Sequence, residues 1–333
     1  MSRKYPLVGP DPYTPEWYAL RRYDPDRIDR PVVFGASEAA GCLNVSPYTS
    51  PLEIHLRKRC ETAEIADNTA MAVGRALEPI ILDLYSAREG VTIAKQPALY
   101  FHPDYKFMAA TPDAIVVASD GTWERAVDAK TTTYHRYDKF GQSEDKYGQE
   151  GSDQLPRDLL CQAQQQMAVL GVERADFPVF FDVQTLRIYR VELVAELVVA
   201  IAKAEQELSE RIVNNDPPPP NWELPETAGL LRDMFGHVAH STIELPKEYA
   251  VLWEQYKILR DRAKAIESEM VTIRNKILYA MGPHEIGILG DTELRRCLIA
   301  ESRIQQSDVV EIAKRVGEIK RKGYERLLER KRR

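Results

Sequence analysis

Two carboxylates and an ammonium lie in this chain at spacings that could hold a divalent cation beside a phosphate. Pro112-Asp113 opens an apolar, β-branched run, Asp113-Ala-Ile-Val-Val-Ala-Ser119, and Asp120-Gly121 is the pair preferred in a two-residue type I′ hairpin turn. Thr122 to Lys130 then reads as the return strand. Counting outward from a tight turn sets Asp113 directly opposite Asp128, with β-carbons about 5 Å apart. Lys130, two residues further, points to the same face. Directly opposed like charges repel, and a bridging cation relieves the repulsion; hard carboxylate oxygens suit Mg²⁺ or Mn²⁺. A solvated hairpin with ordinary surface charges is the plainer reading of the same three residues.

The residues around this set shift the balance. Glu16-Trp17-Tyr18-Ala19-Leu20-Arg21, Gly35-Ala36-Ser37-Glu38-Ala39-Ala40, Ser46-Pro47-Tyr48, Ser50-Pro51-Leu52-Glu53 and Gly74-Arg75-Ala76-Leu77-Glu78-Pro79 precede Ala110-Thr111-Pro112-Asp113. Val127-Asp128-Ala129-Lys130-Thr131 and a glutamine-rich block from Gln162 to Gly171 follow it. In this order the blocks resemble the phage λ-type exonucleases, in particular the YqaJ-like viral recombinase branch of the PD-(D/E)XK nucleases. The second acid is aspartate where many members carry glutamate; both ligate Mg²⁺.

The resemblance implies an α/β (α+β) restriction-endonuclease-like core, a mixed sheet flanked by helices. It also implies Mg²⁺-dependent hydrolysis of DNA from duplex ends, 5′→3′, leaving 3′ single strands for an annealing protein of the RecT or Beta type. Ring-shaped homo-oligomers are a property of that family. Asp113 and Asp128 are then metal ligands, with the Ala129 carbonyl as a third, and Lys130 orients or deprotonates the attacking water. Glu78, flanked by Ala76, Leu77, Ile80 and Ile81, would be a costly charge unless compensated, and the family places this acid at the metal. On a helix over 159–171 the buried stripe is Leu159, Leu160, Ala163, Met167 and Leu170. Gln164 lies at its edge, and Gln162 and Gln166 lie on the opposite flank. A buried amide must be hydrogen-bonded, and the resemblance puts the second glutamine of the Q-x-Q block near the active site. Gln164 is therefore the expected active-site amide, with Gln162 as a further contact on the DNA side. Ser37, ahead of an Ala-rich stretch, reads as a helix N-cap. The resemblance assigns Ser37 and Arg21 to the terminal 5′-phosphate, with Arg22 or Arg27 as substitutes for Arg21.

The elements that position these groups are legible in outline. Ser50-Pro51-Leu52-Glu53 is a capping box with proline at the first helical position, predicting a helix to about Cys60. A second helix covers about 69–88 with a kink expected at Pro79. Strands are expected near 93–101 and in the 113–130 hairpin. A polar loop from Tyr134 to Pro156 leads to a helix over 157–170 that ends at Gly171. Strands near 175–182 and 186–193 and a helix over 194–213 complete a nuclease domain at 1–213. Four consecutive prolines make 214–221 a linker. Beyond it, 222–333 reads as a mainly helical extension with a long helix over 247–281, stopped by Gly282-Pro283. A small strand pair spans Gly290-Asp291, and a basic tail ends the chain.

Composition narrows the alternatives. The chain has 333 residues, 44% of them hydrophobic, and a net charge of −6, which argues against indiscriminate coating of nucleic acid. No apolar run approaches the roughly 20 residues of a membrane span, and the first residues lack a signal-peptide core, so a cytoplasmic protein is expected. Cys42, Cys60, Cys161 and Cys297 are scattered, which excludes the four-cysteine iron–sulfur site of some relatives of this fold and reads as reduced thiols. No G-x-S-x-G and no Walker A motif is present, so neither a serine hydrolase nor an ATP-driven motor is indicated. Two other readings keep the blocks: a structure-specific or restriction-type endonuclease, and a recombination scaffold without catalysis.

Overall fold

The computed structural model describes residues 7–12, 14–26, 31–62, 69–95, 98–132, 147–236, 241–290 and 292–295. The chain divides into two compact units, 1–239 and 240–333. The proline run lies inside the first of these, and the side chain of Asn221 donates to Asn44 at 2.9 Å.

The strands are β1 (Leu7–Val8), β2 (Phe34–Gly35), β3 (Ile93–Ala94), β4 (Tyr100–Phe101), β5 (Met108–Ala110), β6 (Ala114–Val117), β7 (Trp123–Val127), β8 (Lys130–Thr132), β9 (Arg174–Phe181), β10 (Thr185–Glu192), β11 (Ile286–Leu289) and β12 (Thr292–Arg295). The helices are α1 (Pro15–Arg21), α2 (Ala39–Cys42), α3 (Pro51–Lys58), α4 (Thr69–Glu89), α5 (Arg157–Leu170), α6 (Ala195–Asn214), α7 (Thr227–Phe235) and α8 (Glu248–Met281). The principal sheet runs β10-β9-β7-β6-β3, with β8 also on β9, and a smaller one runs β1-β4-β5-β2. β7 and β8 are parallel to β9, and the other neighbours in the principal sheet are antiparallel. The fold class is the mixed α+β architecture expected, with helices on both sheet faces.

Alternation along the strands assigns those faces. Ile115, Ala126, Phe177 and Val179 pack with Met167 of α5. Ala114, Val116, Val127 and Ile188 pack with Leu82 and Tyr85 of α4. Successive strand residues point to opposite sides, so each strand feeds two cores.

Local signals account for the helix ends. Ser50 Oγ accepts from the Glu53 backbone N–H at 3.3 Å, as the capping sequence predicts, and α3 ends at Lys58. α5 stops at Gly171, which takes a left-handed φ of 66° that disfavours residues with a Cβ. α4 continues through Pro79. The single strand expected over 93–101 is two short strands in different sheets. β2 and β5 have no sequence signal of their own, being too short to show a period. Residues 134–146 of the expected loop, the basic tail, Arg27 and Cys297 lie outside the described residues.

The hairpin reaches its register by an unexpected route. Gly121 N–H donates to Ala118 O, and Ala118 N–H to Thr122 O, both at 2.9 Å, so the turn holds three residues, with Gly121 at φ 83°. A three-residue turn pairs Val117 with Trp123, one position out of the register of a two-residue turn. A bulge between Val116 and Val117 restores it, and Ala114 faces Val127 as the tight turn predicts.

Candidate active site

Asp113 and Asp128 stand just beyond the last paired residues of β6 and β7. β7 and β8 keep one register along β9, since Val127 pairs with Asp176 and Lys130 with Val179. In the interval the Asp128 N–H still donates to Asp176 O at 3.1 Å, whereas the Ala129 N–H turns the other way and donates to Asp113 Oδ2 at 2.7 Å. A side-chain carboxylate thus replaces the backbone acceptor that β6 no longer provides. This is why the acids sit at the end of a hairpin: the ladder stops there, and its last donor holds Asp113 beside Asp128.

Asp128 is only 2% exposed and is surrounded by donors. Lys130 Nζ binds its Oδ2, while Gln162 and Gln166 of α5 donate to Oδ1 at 3.0 and 2.7 Å. Burial, then the Asp128 charge, pushes the Asp113 carboxyl well above its usual range. Glu78, on α4, is raised by burial and by the charge of Asp128, with Lys130 opposing. Burial alone would lower the Lys130 ammonium, but Asp128 and Asp113 outweigh it and hold the pKa above normal, so Lys130 is a cation in this state.

The sequence argument for Glu78 needs correction. Ile80 is 51% exposed and Ala76 is exposed, Leu77 is half-buried and only Ile81 is buried, so the apolar setting of Glu78 is partial. Burial is still the larger cause that raises its carboxyl, and the charge of Asp128 adds to it.

Gln164 does not join the site. Its Nε2 donates to Glu192 O at 2.8 Å and its Oε1 accepts from Val194 N–H at 2.7 Å, fastening α5 to the chain beyond β10. Gln162 and Gln166, four residues apart, share the helix face that meets Asp128, and Gln164 is rotated away from it. A stripe phased on apolar residues alone misses this face; the Q-x-x-x-Q spacing is the signal that finds it.

These groups line one cavity of about 920 Å³, together with Trp17, Arg21, Ser37, Lys95 and Thr111. A second cavity of about 410 Å³ shares Trp17, Arg21 and Ser37 and adds Arg22, Arg57, Lys58 and Asp158, among others. Ser37 is exposed but is not an N-cap: 36–38 is a 3-10 turn, and Glu38 takes up the Gly35 N–H at 2.9 Å. Arg21 lies over the Trp17 ring at 4.4 Å from its centroid and pairs with Glu38 at 3.0 Å.

Glu38 is a residue whose role sequence reasoning did not find. It is 4% exposed and also pairs with Lys58 at 2.8 Å and Arg57 at 3.2 Å. Burial alone would raise its carboxyl, but Lys58, Arg21 and Arg57 hold it well below the usual range. Arg57 also pairs with Glu53 at 3.4 Å, so Arg21, Arg57 and Lys58 meet two carboxylates here.

Among the described residues no three His, Cys, Asp or Glu side chains stand close enough to enclose an ion alone. Mg²⁺ does not require that, since it commonly takes one or two carboxylates with water and substrate oxygens. Asp113 and Glu78, both raised in part by the charge of Asp128, make an acid set that fits such an ion.

Residues 16–173 match the YqaJ-like viral recombinase domain. The family resemblance read from the motif order is borne out over that segment. The chain is 23% identical over 308 residues to the uncharacterized protein YqaJ of Bacillus subtilis (strain 168), covering 89% of this chain and 92% of that one. Among solved structures it is similar to an alkaline exonuclease (LHK-Exo) from Laribacter hongkongensis, at 21% identity and TM-score 0.42, covering 61% of this chain and 96% of that one. It is also similar to a phage-related exonuclease from Haemophilus somnus 129PT, at 11% identity and TM-score 0.39, covering 56% and 96%. Likeness of this degree transfers no residue role to this chain. The YqaJ-like segment spans α1 to the end of α5 and so contains every site residue described above. Among the described residues no helix is long and apolar enough to cross a membrane.

Proposed function

We propose that this chain is a metal-dependent DNA exonuclease of phage-type recombination. The observation that carries the reading is the convergence of Asp113, Asp128 and Lys130 in one cavity that Arg21 and Ser37 also line. Asp113, Asp128 and the Ala129 carbonyl would hold Mg²⁺, with Glu78 approaching from α4 and Mn²⁺ able to substitute. When bound, the ion supplies charge neutralisation at the scissile phosphate and Lewis-acid activation of water. Lys130 stays protonated beside Asp128 and stabilises charge on the phosphate as the bond breaks; the proton lost by the attacking water passes to solvent and the leaving oxygen takes one from solvent. Gln162 and Gln166 fix the Asp128 carboxylate in the orientation that faces the cavity.

In this reading Arg21 and Ser37 receive the phosphate at a duplex end. The second cavity, with Arg57 and Lys58 behind it, accommodates a terminal dianion better than a hydroxyl. Hydrolysis proceeds 5′→3′ and leaves a 3′ single strand for an annealing protein of the RecT or Beta type. A ring-shaped homo-oligomer around the duplex gives processivity, and the host cytoplasm is the compartment.

The deciding experiment compares linear duplex, labelled at either 5′ or 3′ ends, with closed circular duplex in Mg²⁺ and in EDTA. Mononucleotide release from linear DNA, with circles intact and no activity in EDTA, is expected. Asp113→Ala and Asp128→Ala should each abolish release while the protein still melts cooperatively. Cleavage of circles overturns the exonuclease reading in favour of an endonuclease. Full activity in EDTA overturns the metal site.

A further inference from the structure

α8 has 34 residues, about 51 Å at 1.5 Å per residue, and none of them is buried. Leu252, Leu259, Ile266 and Ile273 recur every seven residues and are 50 to 62% exposed. Tyr256, Ala263, Met270 and Ile277 interleave with them at alternating steps of four and three, and all are exposed. That is the a/d repeat of a coiled coil, with the leucines and the first two isoleucines at d. A helix that packs on its own globular unit shows a wider stripe near period 3.6, whereas an unbroken 3.5 repeat over four heptads makes a narrow seam for another helix. An apolar stripe of this length left in water marks an interface.

The charges beside the seam indicate the occupant. The g positions include Arg262 and Glu269, and the e positions Glu267 and Arg274. In a parallel pair each g residue meets the e residue five positions later on the other helix. Arg262 of one copy then faces Glu267 of the other, and Glu269 faces Arg274, twice over by symmetry. The flanking g–e combinations, Glu248 with Trp253, Gln255 with Arg260 and Lys276 with Met281, hold no like-charge pair. The seam complements itself.

We infer that α8 is a self-association element, joining this chain to further copies of itself through a parallel coiled coil. The inference rests on α8 alone and is tested without DNA. A ring held by the nuclease unit would keep its mass in the seam variant, so the fall in mass of that variant is the deciding readout. The full-length protein, 38.0 kDa as a single chain, is measured by light scattering coupled to size exclusion at micromolar concentration. A multiple of the single-chain mass is expected. The double variant Ile266→Glu/Ile273→Glu should reduce it to half or less, while Val271→Glu, outside the seam, leaves it unchanged. These positions are exposed, so circular dichroism should show the helix retained. Arg262→Glu sets glutamates against Glu267 and should weaken the assembly; adding Glu267→Arg should restore it. A wild-type protein of single-chain mass overturns the inference. So does an assembly indifferent to the seam double variant, or a charge swap that fails to restore it.

Discussion

Asp128 receives its Lys130, Gln162 and Gln166 donors while almost fully buried, so the groups around it differ in what their loss would do. In the proposed reading Lys130 is the one that carries charge to a phosphate. Lys130→Ala should lower the single-turnover rate by about two to four orders of magnitude, the range for proton-transfer or oxyanion-stabilising groups. DNA affinity should change little, since one lysine is a small share of several phosphate contacts. Weakened binding with an unchanged single-turnover rate would make it a phosphate clamp only. The glutamines separate in the same assay. Gln166→Ala removes a 2.7 Å bond to Asp128 and should slow turnover. Gln164→Ala breaks two bonds to backbone and should leave turnover intact while costing about 1–3 kcal/mol of stability, read by denaturant melts. Equal loss of turnover in both would place Gln164 back in the site.

Among the elements, those with end signals were legible in the sequence. The capped α3, the glycine-stopped α5 and the strand pair β9–β10 stand within a residue or two of where composition puts them. The opposition of Asp113 and Asp128 was legible too, but through two cancelling departures, a three-residue turn and a bulge, that no local pattern announces. Buried charge was the least legible, because partners such as Glu38 and Lys58 come from separate segments. Glu205 of α6 shows the same limit. It is fully buried, and burial followed by the Glu38 charge pushes its carboxyl well above the normal range. The unfolded chain ionises this group near pH 4.3 while the folded chain keeps its proton. Its contribution is therefore present below that pH and is lost as pH rises toward the folded pKa. Glu205→Gln has no proton to lose, so the melting temperature of the variant minus that of the wild type should grow from pH 5 toward pH 9. A difference that stays constant with pH would mean that Glu205 is ionised in the fold.

At the scale of the whole molecule the charge is unevenly placed. The chain is net −6, yet residues 314–333 hold ten lysines and arginines against three glutamates. Residues 1–313 therefore carry 35 basic against 48 acidic side chains, a net of −13. The cavity's own cations are each committed to an acid: Arg21 to Glu38, Lys95 to Asp83 and Lys130 to Asp128. A strongly acidic body with few uncommitted cations in its cleft draws DNA poorly from a distance, and a block of like charge is the usual device for doing so. The basic tail should thus supply most of the salt-sensitive binding. Replacing Lys320, Arg321, Lys322, Arg330, Lys331, Arg332 and Arg333 with glutamine should weaken DNA binding at low salt. It should also make the plot of log affinity against log salt shallower by about 3 to 6, at roughly 0.9 per lost phosphate contact. Fluorescence anisotropy with a labelled duplex and Ca²⁺ in place of Mg²⁺ measures both quantities without cleavage. The single-turnover rate at saturating DNA should be unchanged if, as proposed, cleavage belongs to the cleft and the tail only attracts the duplex. An unchanged slope would assign DNA binding to the cleft alone and leave the tail to some other anion.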